Sequence, residues 1–264
     1  MIAKMSSSLE GRVVVVTGAS RRHAIGAAIA RRVAADGAAV FLHSWSPHDV
    51  EQPWGADVWG PEALVSEIRA AGGTIEHIAA DFTEPEAPAT VIKAALAAFG
   101  QVDAVVANHA RSSGQDIDQV TADEIDRSYA VNTRATLLLI KAFAATHDDT
   151  RPGGRVLLFT SGQYHGAMPT ELPYIASKAA LHELTRSLAV HLMPRGITVN
   201  CINPGPNDTG YADEETLKAV ADANPGGRWS TPTDAANLAA WLLSDEAAWI
   251  TGQTIASDGG WSAR

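Results

Sequence analysis

From Arg12 onward the chain alternates short, continuously apolar runs with longer Ala-rich stretches, and this alternation narrows the possible folds more than any other feature. A run such as Arg12 to Val16, RVVVV, has no polar face, so it must be covered on both sides. Strands covered on both sides belong to parallel sheets, and parallel neighbours need long crossovers, usually helices. The pattern predicts strands at Arg12 to Val16, Ala39 to Leu42, Thr74 to Ala80, Val102 to Ala107, Arg155 to Thr160, Ile197 to Ile202 and Gln253 to Ala256. Between them it predicts helices at Ile25 to Ala35, Pro61 to Ala71 (closed by Gly72-Gly73), Ala87 to Phe99 (closed by Gly100), Thr121 to Ala145 and Leu172 to Leu192, with another beginning at Thr231-Pro232. Thr121 to Glu124, TADE, has the form of a capping box. The expected fold is α/β: a doubly wound parallel sheet with helices on both faces. No composition break divides the chain, so a tail over residues 1–10 and one domain over 11–264 are expected.

The 264 residues are enough to bury a large core, and 46% hydrophobic against 19% charged residues is a globular balance. Lys and Arg total 20 against 30 Asp and Glu, a net charge of −10, so the chain lacks the basic field of a nucleic-acid or anionic-membrane binder. Cys201 is the single cysteine, which excludes an internal disulfide and a four-cysteine zinc site. The nine His form no helical ligand pair, so no metal is expected. The opening residues lack the apolar run of a signal peptide, and Ala135 to Ala145 is too short to span a bilayer, so the expected location is the cytoplasm.

Three features carry chemistry. First, Thr17 to Gly26, TGASRRHAIG, joins the first strand to the first helix. Free amides and the positive end of a helix dipole make such a turn an anion seat, and glycines there allow close approach of a pyrophosphate. A plain βα turn is the plainer alternative. Second, Tyr174 and Lys178 stand four residues apart, on one face of a helix. An ammonium there is expected to lower the phenol pKa and make Tyr174 a usable acid or base. Third, Ser161 ends a strand, at the sheet edge where such folds bind ligands, and Asn132 lies inside a helix, where its amide needs a partner or marks a kink. His43 to Gly60, with Trp45, Trp54 and Trp59, is too long for a routine connection and is either functional or an oligomer contact, or else a packed surface loop.

Together these elements resemble the short-chain dehydrogenase/reductase family over nearly the whole chain, from Gly11 to about Gly260. The resemblance implies a Rossmann-type domain and a catalytic tetrad of Asn132, Ser161, Tyr174 and Lys178, with the 13-residue Ser–Tyr spacing of the family. It also implies a cofactor site. Gly18, Ser20, Arg21, Arg22 and Ile25 come from the glycine loop, and His43 and Ser44 from the end of the second strand. Asp81 and Phe82 stand at the adenine, and Asn108 and Ala110 in a degenerate NNAG run, Ala107-Asn108-His109-Ala110. Pro204, Gly205 and Thr209 would hold the nicotinamide end, together with Tyr174 and Lys178. Ile250 to Gln253 and Asp258 to Gly260 match the C-terminal signature. Within the family the chain is most similar to 3-oxoacyl-[acyl-carrier-protein] reductases, a subgroup of which shares the Pro53-Trp54-Gly55 loop.

The implied reaction is hydride transfer between a nicotinamide and a carbonyl or alcohol carbon. Tyr174 would donate the proton, Ser161 would hold the substrate oxygen, Lys178 would hold the nicotinamide ribose, and Asn132 would anchor a proton relay. Gln163, Tyr164, His165 and Met168 would line the substrate pocket. NADP(H) is favoured, with NAD(H) possible: Leu42 to Trp45 carries no carboxylate before Asp49, and Arg21 and Arg22 could pair with a 2′-phosphate. Arg151 and Arg195 would meet an acyl carrier protein, unless they are ordinary surface arginines. A homotetramer or homodimer is expected. The family loop reads TGxxxGxG, whereas this one has two extra residues and Ala24 in place of the second glycine. Beside the 3-oxoacyl thioester reductase stand two alternatives: an alcohol dehydrogenase or ketoreductase for a sugar, steroid or secondary metabolite, and a nicotinamide-binding regulator without turnover.

Overall fold

A computed structural model describes residues 9–151 and 153–264. Seven strands form one parallel sheet in the order β3-β2-β1-β4-β5-β6-β7. They are β1 (Val13–Thr17), β2 (Ala39–Ser44), β3 (Ile75–Ala79), β4 (Ala104–Ala107), β5 (Gly154–Phe159), β6 (Ile197–Asn203) and β7 (Thr254–Ala256). The helices are α1 (Ile25–Ala35), α2 (Pro47–Val50), α3 (Gly60–Ala70), α4 (Ala87–Phe99), α5 (Ala122–Ser128), α6 (Ala135–Thr146), α7 (Leu172–Leu192), α8 (Glu214–Ala223) and α9 (Pro232–Leu243). The chain winds outward from β1 on one side and from β4 on the other. The crevice between their C-terminal ends is therefore the switch point at which doubly wound folds bind ligands.

Alternate residues of each central strand serve opposite cores. Val14 and Val16 face α1 and α9 with Ile29, Val33 and Leu242, whereas Val15 faces α4 and α6 with Val91, Leu139 and Phe143. This explains the unbroken apolar strands: each buried aliphatic side chain contributes about 1.5–3 kcal/mol, and both faces have a core to fill.

Four expectations are corrected. The predicted helix from Thr121 to Ala145 is interrupted by a π turn, Tyr129–Arg134, which carries Asn132. Thr121 accepts the Glu124 amide at 3.2 Å, but the Glu124 side chain turns to Arg111 and leaves the capping box half made. α8 has no counterpart in the apolar pattern because it buries none of its residues; Asp213 caps it by accepting the Thr216 amide at 2.8 Å. The expected tail over residues 1–10 is too long at its inner end, since Leu9 is fully buried in the α1 core and its amide donates to Asp36 O at 2.8 Å. Residues 1–8 of that tail lie outside the described residues.

Phe143 is fully buried between α4 and the sheet. Phe143→Ala is expected to cost about 3–5 kcal/mol in unfolding free energy, read as a lower urea midpoint at unchanged slope.

Candidate active site

The switch point is stitched by side chains. Where β1 ends, the Thr17 and Gly18 carbonyls leave the ladder, and Asn108 Nδ2 donates to both, at 3.1 and 3.0 Å. His109, in place of the Ala of the family's NNAG run, is buried beside it. Its Nε2 lies 3.1 Å from the Val131 carbonyl, which makes Nδ1 the acceptor for the Thr17 hydroxyl at 2.7 Å. Burial holds the His109 imidazole well below its ordinary pKa, and it stays neutral. Gly18 (φ +74°) and Gly26 are where backbones meet: a Cβ at Gly18 would lie 2.5 Å from His109 Cα, and one at Gly26 would lie 2.4 Å from Gly18 O.

A cavity of about 580 Å³ opens at this point. Of the predicted cofactor residues, Gly18, Ser20, Arg21, Ile25, His43, Asp81, Phe82, Asn108, Ala110 and Thr209 line it. His43 stacks on Phe82 with ring centres 4.0 Å apart, and its burial lowers its pKa to about 4. Ala24 also lines the cavity, in an extended conformation (φ −93°, ψ 166°) that needs no glycine, so the substitution is accommodated.

Several predicted residues lie elsewhere. Ser44 is buried with its hydroxyl 2.8 Å from His77 Nε2. Arg22 faces away from the cavity. Its guanidinium is bidentate on Asp57 at 2.8 and 3.0 Å, and the Asp57 carboxyl is thereby held down at about 2. Gly205 (φ +62°) packs on the C-terminal signature, where a Cβ would lie 2.3 Å from Asp258 Cβ, and neither it nor Pro204 lines the cavity. The argument that pairs Arg22 with a 2′-phosphate therefore loses its geometric basis.

Sequence reasoning missed Asp49, Trp54 and Arg111. The loop from His43 to Gly60 folds over the glycine loop, and its short helix α2 sets Asp49 against it. Asp49 accepts from Ser20 Oγ and from Trp54 Nε1 (3.3 Å) and lies 3.4 Å from Arg21 Nε. Arg21 in turn donates to Thr209 O at 3.1 Å and lies over the Trp54 ring. The available signal was charge: Asp49, Glu51 and Asp57 of the long loop complement Arg21 and Arg22 of the lengthened one.

The tetrad assembles beside the cavity, whose wall includes Val131, the neighbour of Asn132. Asn132 is fully buried in the π turn. Its Oδ1 accepts from the Arg111 amide at 2.7 Å, and its Nδ2 donates to Arg111 O at 3.0 Å and to Ser177 Oγ at 2.8 Å. Ser177 donates to the Tyr174 carbonyl at 2.7 Å, which ties Asn132 to the catalytic turn of α7. Ser161 follows β5, and its hydroxyl is hydrogen-bonded to Tyr174. Lys178 Nζ lies 6.0 Å from the Tyr174 ring centre and donates to Phe159 O at 2.9 Å.

The expected lowering of the Tyr174 pKa is not found. Burial pushes the phenol up to about 12 against the opposing Ser161 hydrogen bond, and burial lowers the Lys178 ammonium to about 8. Near neutrality Tyr174 is thus a protonated donor beside a charged lysine.

Arg151 and Arg195 lie at the opposite end of the sheet. Each precedes a strand, β5 or β6, whereas Ser161 follows β5, whose six residues put about 20 Å between the two ends. Each is also paired, Arg151 with Asp103 (3.1 Å) and Arg195 with Asp149 (2.8 Å). No described helix is long and apolar enough to cross a membrane.

Comparison with known proteins agrees with this geometry. Residues 18–262 match the family pattern described as enoyl-(acyl carrier protein) reductase. The chain is 37% identical to an uncharacterized oxidoreductase of Bacillus subtilis, covering 97% of this chain and 98% of that one. It is 32% identical to the versicolorin reductase stcU of Emericella nidulans, covering 97% and 99%. A short-chain dehydrogenase/reductase structure from Serratia marcescens superposes with a TM-score of 0.85 at 31% identity, covering 96% and 99%.

Gly26→Ala is expected to weaken dinucleotide binding at least tenfold and to cost about 1–3 kcal/mol of stability, because the new methyl meets Gly18 O and Asn108 Nδ2; calorimetric titration and urea unfolding measure the two effects. With the anion-binding turn, the ligand crevice at the switch point and the Ser161–Tyr174–Lys178 arrangement in one structure, and relatives of matching length, the chain belongs to the short-chain dehydrogenase/reductase family of oxidoreductases.

Proposed function

We propose that the protein is a nicotinamide-dependent reductase of a ketone on a free, ring-containing small molecule. The observation that carries this reading is the half-buried Tyr174, hydrogen-bonded to Ser161 and kept protonated beside Lys178. Gly18, Ser20, Asn108 and Thr209 of the cleft would hold a nicotinamide dinucleotide, which when bound would supply the hydride for the carbonyl carbon. Ser161 and Tyr174 then hold the carbonyl oxygen, and Tyr174 passes its proton to the oxygen as charge develops there. The Lys178 cation favours the phenolate left behind. Asn132 fixes the π turn and, through Ser177, the turn of α7 that carries Tyr174; its side-chain amide is fully engaged, and its main-chain carbonyl accepts from the Thr136 hydroxyl at 2.8 Å.

Tyr211, near enough to Tyr174 to act on its phenol, meets Trp54 and Trp229 edge-on, at 6.3 and 5.9 Å, and this aromatic cluster, of which Trp54 lines the cavity, supports a ring-containing substrate over a flexible acyl chain. The likeness to a reductase named for versicolorin points the same way. The 3-oxoacyl thioester reading keeps the same chemistry, with its docking arginines, Arg151 and Arg195, already ion-paired to Asp103 and Asp149. The two are separated by offering a free cyclic ketone and a carrier-bound 3-oxoacyl thioester in parallel; the cyclic ketone is expected to turn over, and carrier attachment to bring no gain over a short free thioester.

Tyr174→Phe is expected to lower turnover about 10²–10⁴-fold with dinucleotide affinity nearly unchanged; near-normal turnover overturns the assignment. The reductive kcat/KM should be level below pH 7 and fall as pH rises through about 8, where Lys178 loses its proton. A rate that rises through that range contradicts this role for Lys178.

A further inference from the structure

Asp49 is 7% exposed and makes its three polar contacts within the cavity wall, with Ser20, Arg21 and Trp54. Ser20 and Arg21 are the groups of the glycine loop with which a phosphate could pair. We infer that Asp49 is a built-in occupant of that anion seat, and that it makes the cleft select the dinucleotide lacking a ribose 2′-phosphate. This inference rests on the proposed nicotinamide-dependent function and adds the choice of cofactor to it.

Charge accounting supports it. The cavity wall carries three guanidiniums, Arg21, Arg111 and Arg127, and three carboxylates, Asp49, Glu51 and Asp81. Each guanidinium has an acid partner: Asp49 for Arg21, Glu124 (2.8 Å) and Glu51 (3.6 Å) for Arg111, and Asp123 (3.0 Å) for Arg127. Among the described residues the wall therefore offers no guanidinium without a carboxylate. His48 adds no charge near neutrality, because burial and the adjacent Arg111 lower its pKa.

A phosphate drawn to Arg21 meets the Asp49 carboxylate, and burial strengthens that repulsion. Asp49 is poorly placed to withdraw. It is held from the glycine-loop side by Ser20 and Arg21 and from its own loop by Trp54, and that loop is packed so closely that a Cβ on Gly60 would lie 2.0 Å from Ser20 O. A ribose hydroxyl, by contrast, is a donor that a carboxylate can accept. The acid comes from α2, beyond the end of β2, which is why the stretch Leu42 to Trp45 shows none.

Calorimetric titration of NADH and NADPH into the wild type and Asp49→Asn tests this, with ADP and adenosine 2′,5′-bisphosphate as probes that bind without turnover. The wild type should bind NADH, and ADP, at least tenfold more tightly than the 2′-phosphorylated partner. Asp49→Asn should shrink that ratio at least tenfold, mainly by tightening the 2′-phosphorylated ligands. A wild type that prefers NADPH, or binds both equally, overturns the inference and leaves the proposed function standing, as does an unchanged ratio in the variant. If neither dinucleotide binds, the proposed function fails and the inference with it. Asp49→Ser is the second variant should the first not fold, and the wild-type ratio alone decides the selectivity.

Discussion

Two carbonyls at the end of β1 set the problem that the rest of the site solves. Thr17 and Gly18 leave the sheet ladder at its switch point, where an unpaired buried carbonyl costs about 1–3 kcal/mol. Asn108 satisfies both, and this fixes the path of the chain after β4 relative to the glycine loop. His109 continues the same line, from Thr17 to the Val131 carbonyl of the π turn. The π turn presents Asn132 to Arg111 and Ser177, and Ser177 reaches Tyr174. A continuous set of hydrogen bonds thus runs from the glycine loop to the Tyr174 turn of α7. Because each group in it is partnered, the set orders the site instead of straining it.

Burial has a second consequence at the tetrad. Desolvation moves the two titrating groups in opposite senses, raising the phenol and lowering the ammonium. Both shifts favour the uncharged forms, yet at neutral pH the lysine is still a cation and the tyrosine still an acid. The fold therefore sets a neutral phenol beside a positive charge that, in the proposed reaction, would stabilise the phenolate. That combination suits reduction, in which the proton is given up only as the alkoxide forms.

Most of the architecture was legible because it rests on local pattern. α1, α4 and α7 coincide with the residues at which apolar periodicity and terminal signals place them. The strands differ from expectation by one or two residues. The π turn was not legible, since one extra residue per turn barely disturbs an apolar stripe; Asn132 in the interior was its only trace. α8 escaped because it buries no side chain, so it writes no stripe at all. At the cavity, most residues tied to a motif line the wall, though Arg22, Ser44, Pro204 and Gly205 do not, and no motif pointed to Asp49 or Arg111. Their roles are set by partners far along the chain, Ser20 and Asn132, and spacing within a segment does not reveal which distant carboxylate meets which guanidinium.

Two departures from the family pattern, the lengthened glycine loop and the long connection after β2, prove to be one feature. The two added residues include Arg22, whose amide and guanidinium both bind Asp57 of the long connection. Asp49 of the same connection binds Ser20 and Arg21, so four polar groups of one loop are met by two carboxylates of the other. With the glycine loop anchored from outside, its conformation no longer depends on a glycine at its second position, and Ala24 sits there in an ordinary extended geometry. The steric demand has moved instead of vanishing. Close approach is now required at Gly60, where the connection passes over Ser20 O with no room for a side chain. The glycine absent from one loop is thus matched by one in the other, and neither loop can be understood from its own residues alone.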